Sequence, residues 1–140
     1  MIERKYDFPT ISQDSLESNL YNNNYIILDT RENDEYSVSH IPGALRFGYD
    51  KPHYELIADA DTSKTIILYC SIGVRSENIS KTLQEKGFNN VFNLYGGVFL
   101  WADQFRPLEN LEDEKTKKVH GYNRFWGRWI KKAPVVYEQQ

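Results

Sequence analysis

Cysteine is almost missing from this chain: there is one, Cys70, among 140 residues. A lone thiol can close no internal disulfide, which excludes a secreted disulfide scaffold and fits a reducing compartment. No apolar run approaches the roughly 20 residues of a membrane span. The opening stretch MIERKYDFPTISQD places charged side chains where a signal peptide needs an apolar core. These two features predict a cytoplasmic protein without membrane contact. Internal repeats and low-complexity tracts are lacking too, so the length points to one compact domain, with room for an appendage and no need of a metal or disulfide to fold.

What is plentiful is charge and aromatic surface, unevenly spread. Residues 1–114 hold 10 Lys and Arg against 19 Asp and Glu, whereas residues 115–140 hold 7 against 1. An acidic body of net charge −9 therefore carries a tail of +6, which suits either packing of the tail on the body or contact with an anionic partner.

The strands YIILD (25–29) and TIILY (65–69) are short, uniformly apolar and β-branched, as strands buried on both faces of a parallel sheet are; VFNLY (91–95) is a third. Helical spacing between them appears in DSLESNLY (14–21), where Asp14 and Glu17 resemble a capping box, and in KPHYELIADA (51–60). The best helix is SENISKTLQEKG (76–87), with Ser76 as N-cap, Ile79 and Leu83 on one face and Gly87 as terminator. Alternating strands and helices predict an α/β domain with a mainly parallel sheet over residues 1–105. Residues 106–118 read as a polar linker. Residues 119–140 read as an aromatic-rich extension packed on the domain, with Tyr122, Phe125, Trp126, Trp129 and Ile130 at helical spacing.

Cys70 stands at the carboxyl end of TIILY and just before a helix, where backbone N–H groups converge on an anion. That setting favours thiolate over thiol, Arg75 adds a full positive charge, and Gly73 permits tight curvature. An inert buried cysteine is the plain alternative, and the glycine, arginine and helix start argue against it.

The loop CSIGVRS resembles the active-site loop of rhodanese-like domains, the sulfurtransferase family. Three further stretches match in order: LDTRENDEY (28–36), SHIPGA (39–44) and LYGGVFLW (94–101), so that the resemblance covers about residues 10–104. It implies a five-stranded mainly parallel sheet with helices on both faces, and a Cys70 persulfide formed from a sulfane-sulfur donor. Ser71, Ile72, Gly73, Val74 and Arg75 would then bind substrate, while Asp29 and Arg31 would form a supporting ion pair. His40 of SHIPGA is read as structural, because sulfur transfer between thiolates moves few protons. Ser71 stands where many members carry a basic residue, so a persulfide donor fits this loop as well as thiosulfate does. With no second cysteine the acceptor must be external, a small thiol or a partner protein. Neither cofactor, metal nor nucleic acid is expected.

Two rival readings remain. Phosphatases and arsenate reductases of related folds hold oxyanions in a C-x5-R loop, one residue longer than Cys70 to Arg75. A non-catalytic binding module is the other, and the retained Cys70 speaks against it.

Overall fold

The computed structural model describes residues 9–72 and 77–137. Five strands form the main sheet: β1 (Thr10–Ile11), β2 (Tyr25–Asp29), β3 (Leu45–Arg46), β4 (Thr65–Tyr69) and β5 (Val91–Leu94). All neighbours are parallel, in the order β1-β5-β4-β2-β3, and β4 pairs in register with β2 from Tyr25 opposite Thr65 to Asp29 opposite Tyr69.

The near-continuous apolar runs follow from burial on both faces. In β4, Ile67 and Tyr69 join one core with Ile27, Leu16, Val98 and Trp101, while Ile66 and Leu68 join a second with Leu28, Ile57, Ile79 and Leu83. Ile66, Ile67, Leu68 and Tyr69 are all solvent-free. Each buried side chain of this size contributes about 1.5–3 kcal/mol of transfer free energy, so a strand with no polar face is stable only between two layers.

The first layer holds α1 (Gln13–Ser18) and α4 (Gly97–Asp103); α3 (Glu77–Glu85) and a 3-10 turn at Tyr54–Ile57 cover the other face. A further helix, α2 (Asn33–Val38), leads out of β2. Helix α3 ends as the sequence foretold, at Gly87 with φ +103°; its expected cap, Ser76, lies outside the described residues.

Two local expectations need correction. Helix α1 is capped by Ser12, whose hydroxyl accepts from the Ser15 N–H at 3.1 Å. Asp14 and Glu17 form no capping box and instead bind the guanidinium of Arg106, each at 2.7 Å. Of the helix expected over residues 51–60 only the 3-10 turn forms, with Ile57 buried in the second core and Tyr54 packed edge to face on Phe47.

After α4 the chain stays on the body. Leu108 is buried in the first core, and the backbones of His40 and Glu109 exchange two hydrogen bonds of 2.9 Å. Beyond lie β6 (Val119–His120), a single helical turn α5 (Arg124–Gly127) and β7 (Val135–Val136), the two strands pairing in parallel. Val119, Ile130 and Ala133 are buried in the first core. The apolar stripe expected of residues 122–130 is not continuous: Ile130 points in and Trp126 is half-buried, while Tyr122, Phe125 and Trp129 face solvent. One helical turn is too short to hold the spacing that the sequence suggests. Among the described residues no helix is long and apolar enough to cross a membrane.

Candidate active site

Parallel sheets gather their ligands at the carboxyl ends of the strands, and Cys70 follows the last residue of β4. Its side chain is buried. The backbone that presents it is held at three successive carbonyls. The Tyr69 carbonyl accepts from both the N–H and the hydroxyl of Thr30, each at 3.0 Å. The Cys70 carbonyl accepts from the Val98 N–H at 2.9 Å, and that of Ser71 from the Phe99 N–H at 3.0 Å. Two of the orphan donors at the start of α4 are thereby satisfied by the carbonyls that follow β4.

This arrangement explains the second glycine of LYGGVFLW. Gly97 has φ +64°, and a β-carbon there would stand 2.7 Å from the Cys70 carbonyl oxygen and closer still to that of Ser71. Both atoms are backbone and cannot turn aside. Gly97→Ala combines backbone strain with a clash against the loop, and should cost about 2–4 kcal/mol and depress activity. Urea unfolding checks the cost; a variant within about 0.5 kcal/mol of the parent would show that the two segments are not tightly joined.

The hydroxyl of Ser71 donates to Glu35 Oε2 at 3.3 Å, while Oε1 of Glu35 accepts from the Glu32 N–H at 3.0 Å in a capping box that opens α2. Ile72, half-buried, packs against the first core. Gly73, Val74 and Arg75 lie outside the described residues.

Asp29 and Arg31 meet at the end of β2. Arg31 Nη2 reaches Asp29 Oδ2 at 2.7 Å, Nε reaches Oδ1 at 3.0 Å, and both side chains are solvent-free. Nη2 also donates to the Ser39 carbonyl at 2.7 Å. The Tyr69 hydroxyl donates to Asp29 Oδ2 at 2.6 Å and accepts from the Ile41 N–H at 3.1 Å. The ion pair is thus tied directly to the residue before Cys70. Burial by itself disfavours the guanidinium, but Asp29, with Tyr69 and Glu35 beyond it, outweighs that cost and holds the Arg31 pKa above its ordinary value. Burial, then the neighbouring Asp29 charge, pushes the Tyr69 phenol well above its usual range, so it remains a hydrogen-bond donor.

His40 stacks on Tyr36 with ring centroids 3.9 Å apart, and its Nδ1 lies 3.0 Å from the Tyr36 carbonyl, the position of a structural histidine. Among the described residues no three His, Cys, Asp or Glu side chains converge as a metal site requires.

Sequence reasoning missed Tyr69, Glu35, Thr30 and Gly97 as parts of this site. It also missed His120, buried on β6, whose Nδ1 accepts from the Tyr122 N–H at 2.9 Å. Burial first, with help from Arg31 and against the pull of Glu35 and Asp34, lowers the His120 pKa. The folded chain therefore takes up a proton on this imidazole at lower pH than the unfolded chain, which does so near pH 6.5. Below that pH the unfolded state binds more protons, so stability falls on acidification towards the lower folded value, with a slope of at most about 1.4 kcal/mol per pH unit. His120→Gln should lose that part of the acid sensitivity and differ little from the parent in slope above neutral pH; unfolding curves from pH 5 to 8 check this, and parallel slopes throughout would contradict it.

The family model for a rhodanese-like domain matches residues 12–104. The chain is 36% identical over 76 residues to the thiosulfate sulfurtransferase GlpE of Coxiella burnetii, covering 54% of this chain and 70% of that protein. It is 33% identical over 94 residues to the tRNA uridine(34) hydroxylase of Bdellovibrio bacteriovorus, covering 64% of this chain and only 27% of the hydroxylase. Among solved structures, the thiosulfate sulfurtransferase of Pseudomonas aeruginosa superposes with TM-score 0.64 at 26% identity, over 77% of this chain and 21% of that one. The rhodanese-like domain of an Anabaena protein gives 0.65 at 24% identity, over 77% and 83%.

Proposed function

The chain belongs to the rhodanese-like domain family, and on that premise we propose that it is a sulfurtransferase working through a persulfide on Cys70. The observation that carries this reading is the only thiol of the chain, placed directly after β4 at the carboxyl edge of a parallel sheet, on a backbone fixed at three consecutive carbonyls. A nucleophile needs such positioning more than a packing residue does.

In the first half-reaction the Cys70 thiolate attacks the outer sulfur of an anionic sulfane donor. With thiosulfate, the bond between the two donor sulfurs breaks, sulfite leaves with the electron pair, and Cys70 retains the outer sulfur as a persulfide. With a low-molecular-weight persulfide, the leaving group is a thiolate. In the second half-reaction an external thiolate attacks the outer sulfur and Cys70 leaves as a thiolate, so no oxidant or reductant is consumed. Arg75, from its place in the sequence, supplies positive potential for the anionic donor. The paired Asp29 and Arg31 act at one remove: they hold Tyr69, and Tyr69 holds the start of the loop.

The likeness to GlpE over 70% of that protein supports a sulfur donor. The hydroxylase likeness spans about a quarter of that protein and lends its activity little support. Sulfur transfer between small molecules in the cytoplasm is the function that this lone thiol suits. The test is to assay thiosulfate and a glutathione persulfide as donors, with cyanide as acceptor, beside an aryl phosphate. Sulfur transfer with background phosphate release is expected. Robust Cys70-dependent phosphate release would overturn the reading in favour of an oxyanion-handling hydrolase.

A further inference from the structure

A groove of about 430 Å³ runs between α4 and the C-terminal extension, lined by Ile72, Phe99, Leu100, Phe125, Trp126 and Trp129. Its size is that of a small-molecule site and its walls are apolar and aromatic. Its lining includes Ile72, two residues from Cys70 in sequence, and three residues of α4, Phe99, Leu100 and Asp103, of which Phe99 binds the Ser71 carbonyl through its N–H. The outer wall is held firmly. Asp103, at the end of α4, accepts the N–H groups of Lys131, Lys132 and Ala133 at 2.7, 2.8 and 3.0 Å, and Ile130 is buried beside them. Phe125 and Trp126 meet edge to face at 5.5 Å. The extension is therefore a fixed part of the groove.

Basic side chains lie next in sequence to the aromatic residues of the lining. The guanidinium of Arg128 lies 4.1 Å from the Phe125 ring centroid and 5.3 Å from that of Trp129, and Lys131 and Lys132 follow, exposed. The carboxylate in the lining, Asp103, is engaged by three backbone donors. A stacked arginine beside exposed aromatic faces suits a planar apolar body with an anionic substituent, the body on the rings and the anion on the guanidinium. Resting on the sulfurtransferase reading, we propose that this groove is the acceptor subsite, and that it takes an aromatic thiol bearing a negative charge. The thiol loses its proton to water, and its thiolate attacks the outer sulfur of the Cys70 persulfide. The S–S bond to Cys70 breaks with its electron pair on Cys70, and the acceptor departs as an aryl persulfide.

Binding and transfer can be read separately. In the Cys70→Ala protein no sulfur moves, so calorimetry with 4-mercaptobenzoate reads the groove alone. Saturable binding is expected, weakened about tenfold by adding Trp129→Ala, which removes half-exposed surface and leaves the core intact. Arg128→Gln should weaken 4-mercaptobenzoate several-fold more than the uncharged 4-methylbenzenethiol. In the Cys70-containing protein, Trp129→Ala should lower the ratio of kcat/KM for 4-mercaptobenzoate to that for cyanide about tenfold, since cyanide is too small to use the groove. No saturable binding, or equal binding after Trp129→Ala, overturns the inference. Sulfur loading of Cys70, followed by mass, stands apart from it: failure there refutes the sulfurtransferase reading and leaves the binding result intact.

Discussion

Cys70→Ala should lose sulfur transfer entirely, a fall of at least about a thousandfold, because the covalent intermediate has no other atom on which to form. The same variant should fold. Removing one buried sulfur from a site surrounded by fixed backbone leaves a void of about one atom and costs on the order of 1 kcal/mol, a few degrees in melting temperature for a domain of this size. Loss of activity with retained structure separates a nucleophile from a packing residue. Turnover near the parent rate in the alanine variant would mean that the chemistry runs elsewhere.

The second large effect should fall on stability. Arg31→Met leaves Asp29 buried, still hydrogen-bonded to Tyr69 but without its counter-ion, and a stranded buried charge costs about 3–5 kcal/mol. Against the roughly 5–15 kcal/mol that holds a typical domain together, such a loss leaves the variant marginal at 25 °C. Asp29→Ala should be similarly damaging, since it strands the guanidinium and removes the acceptor of the Tyr69 hydroxyl. The double variant should recover part of the loss, because two neutral side chains need no counter-ion. Urea denaturation of the three proteins checks this. Single variants within about 1 kcal/mol of the parent would show the pair to be well hydrated, against its solvent-free position.

The inner strands of the parallel sheet were legible because burial on both faces leaves a plain trace: YIILD and TIILY are strands β2 and β4 to the residue. The helix carrying Ile79 and Leu83 was equally plain, since its apolar spacing and terminal glycine agree. Helix α2 was hidden because its residues, NDEYSV, carry little apolar periodicity, and its start depends on Glu32 and Glu35 capping each other's turn. Strands β1 and β3 are two residues each, and short edge strands are fixed by their neighbours more than by their own composition.

At the site, Cys70 and the Asp29–Arg31 pair could be named from motifs, but their connection through Tyr69 could not. Nothing in TIILY distinguishes a tyrosine that packs from one that carries a hydrogen bond across 40 residues. The polar stretch 106–118 gave no sign that Leu108 enters the core or that Arg106 binds α1. The aromatic tail misled by its spacing: Asn123 caps a helix of a single turn, and the rings that a longer helix would align on one face are divided between core and solvent.

The central claim is that Cys70 carries the sulfur. Intact-protein mass spectrometry after brief treatment with glutathione persulfide, and separately with thiosulfate, tests it most directly. A gain of one sulfur atom is expected on the parent protein with at least one of these donors, located to the peptide containing Cys70, reversed by added thiol and missing from Cys70→Ala. A parent protein that gains no sulfur from either donor, or a Cys70→Ala protein that gains as much, would contradict it.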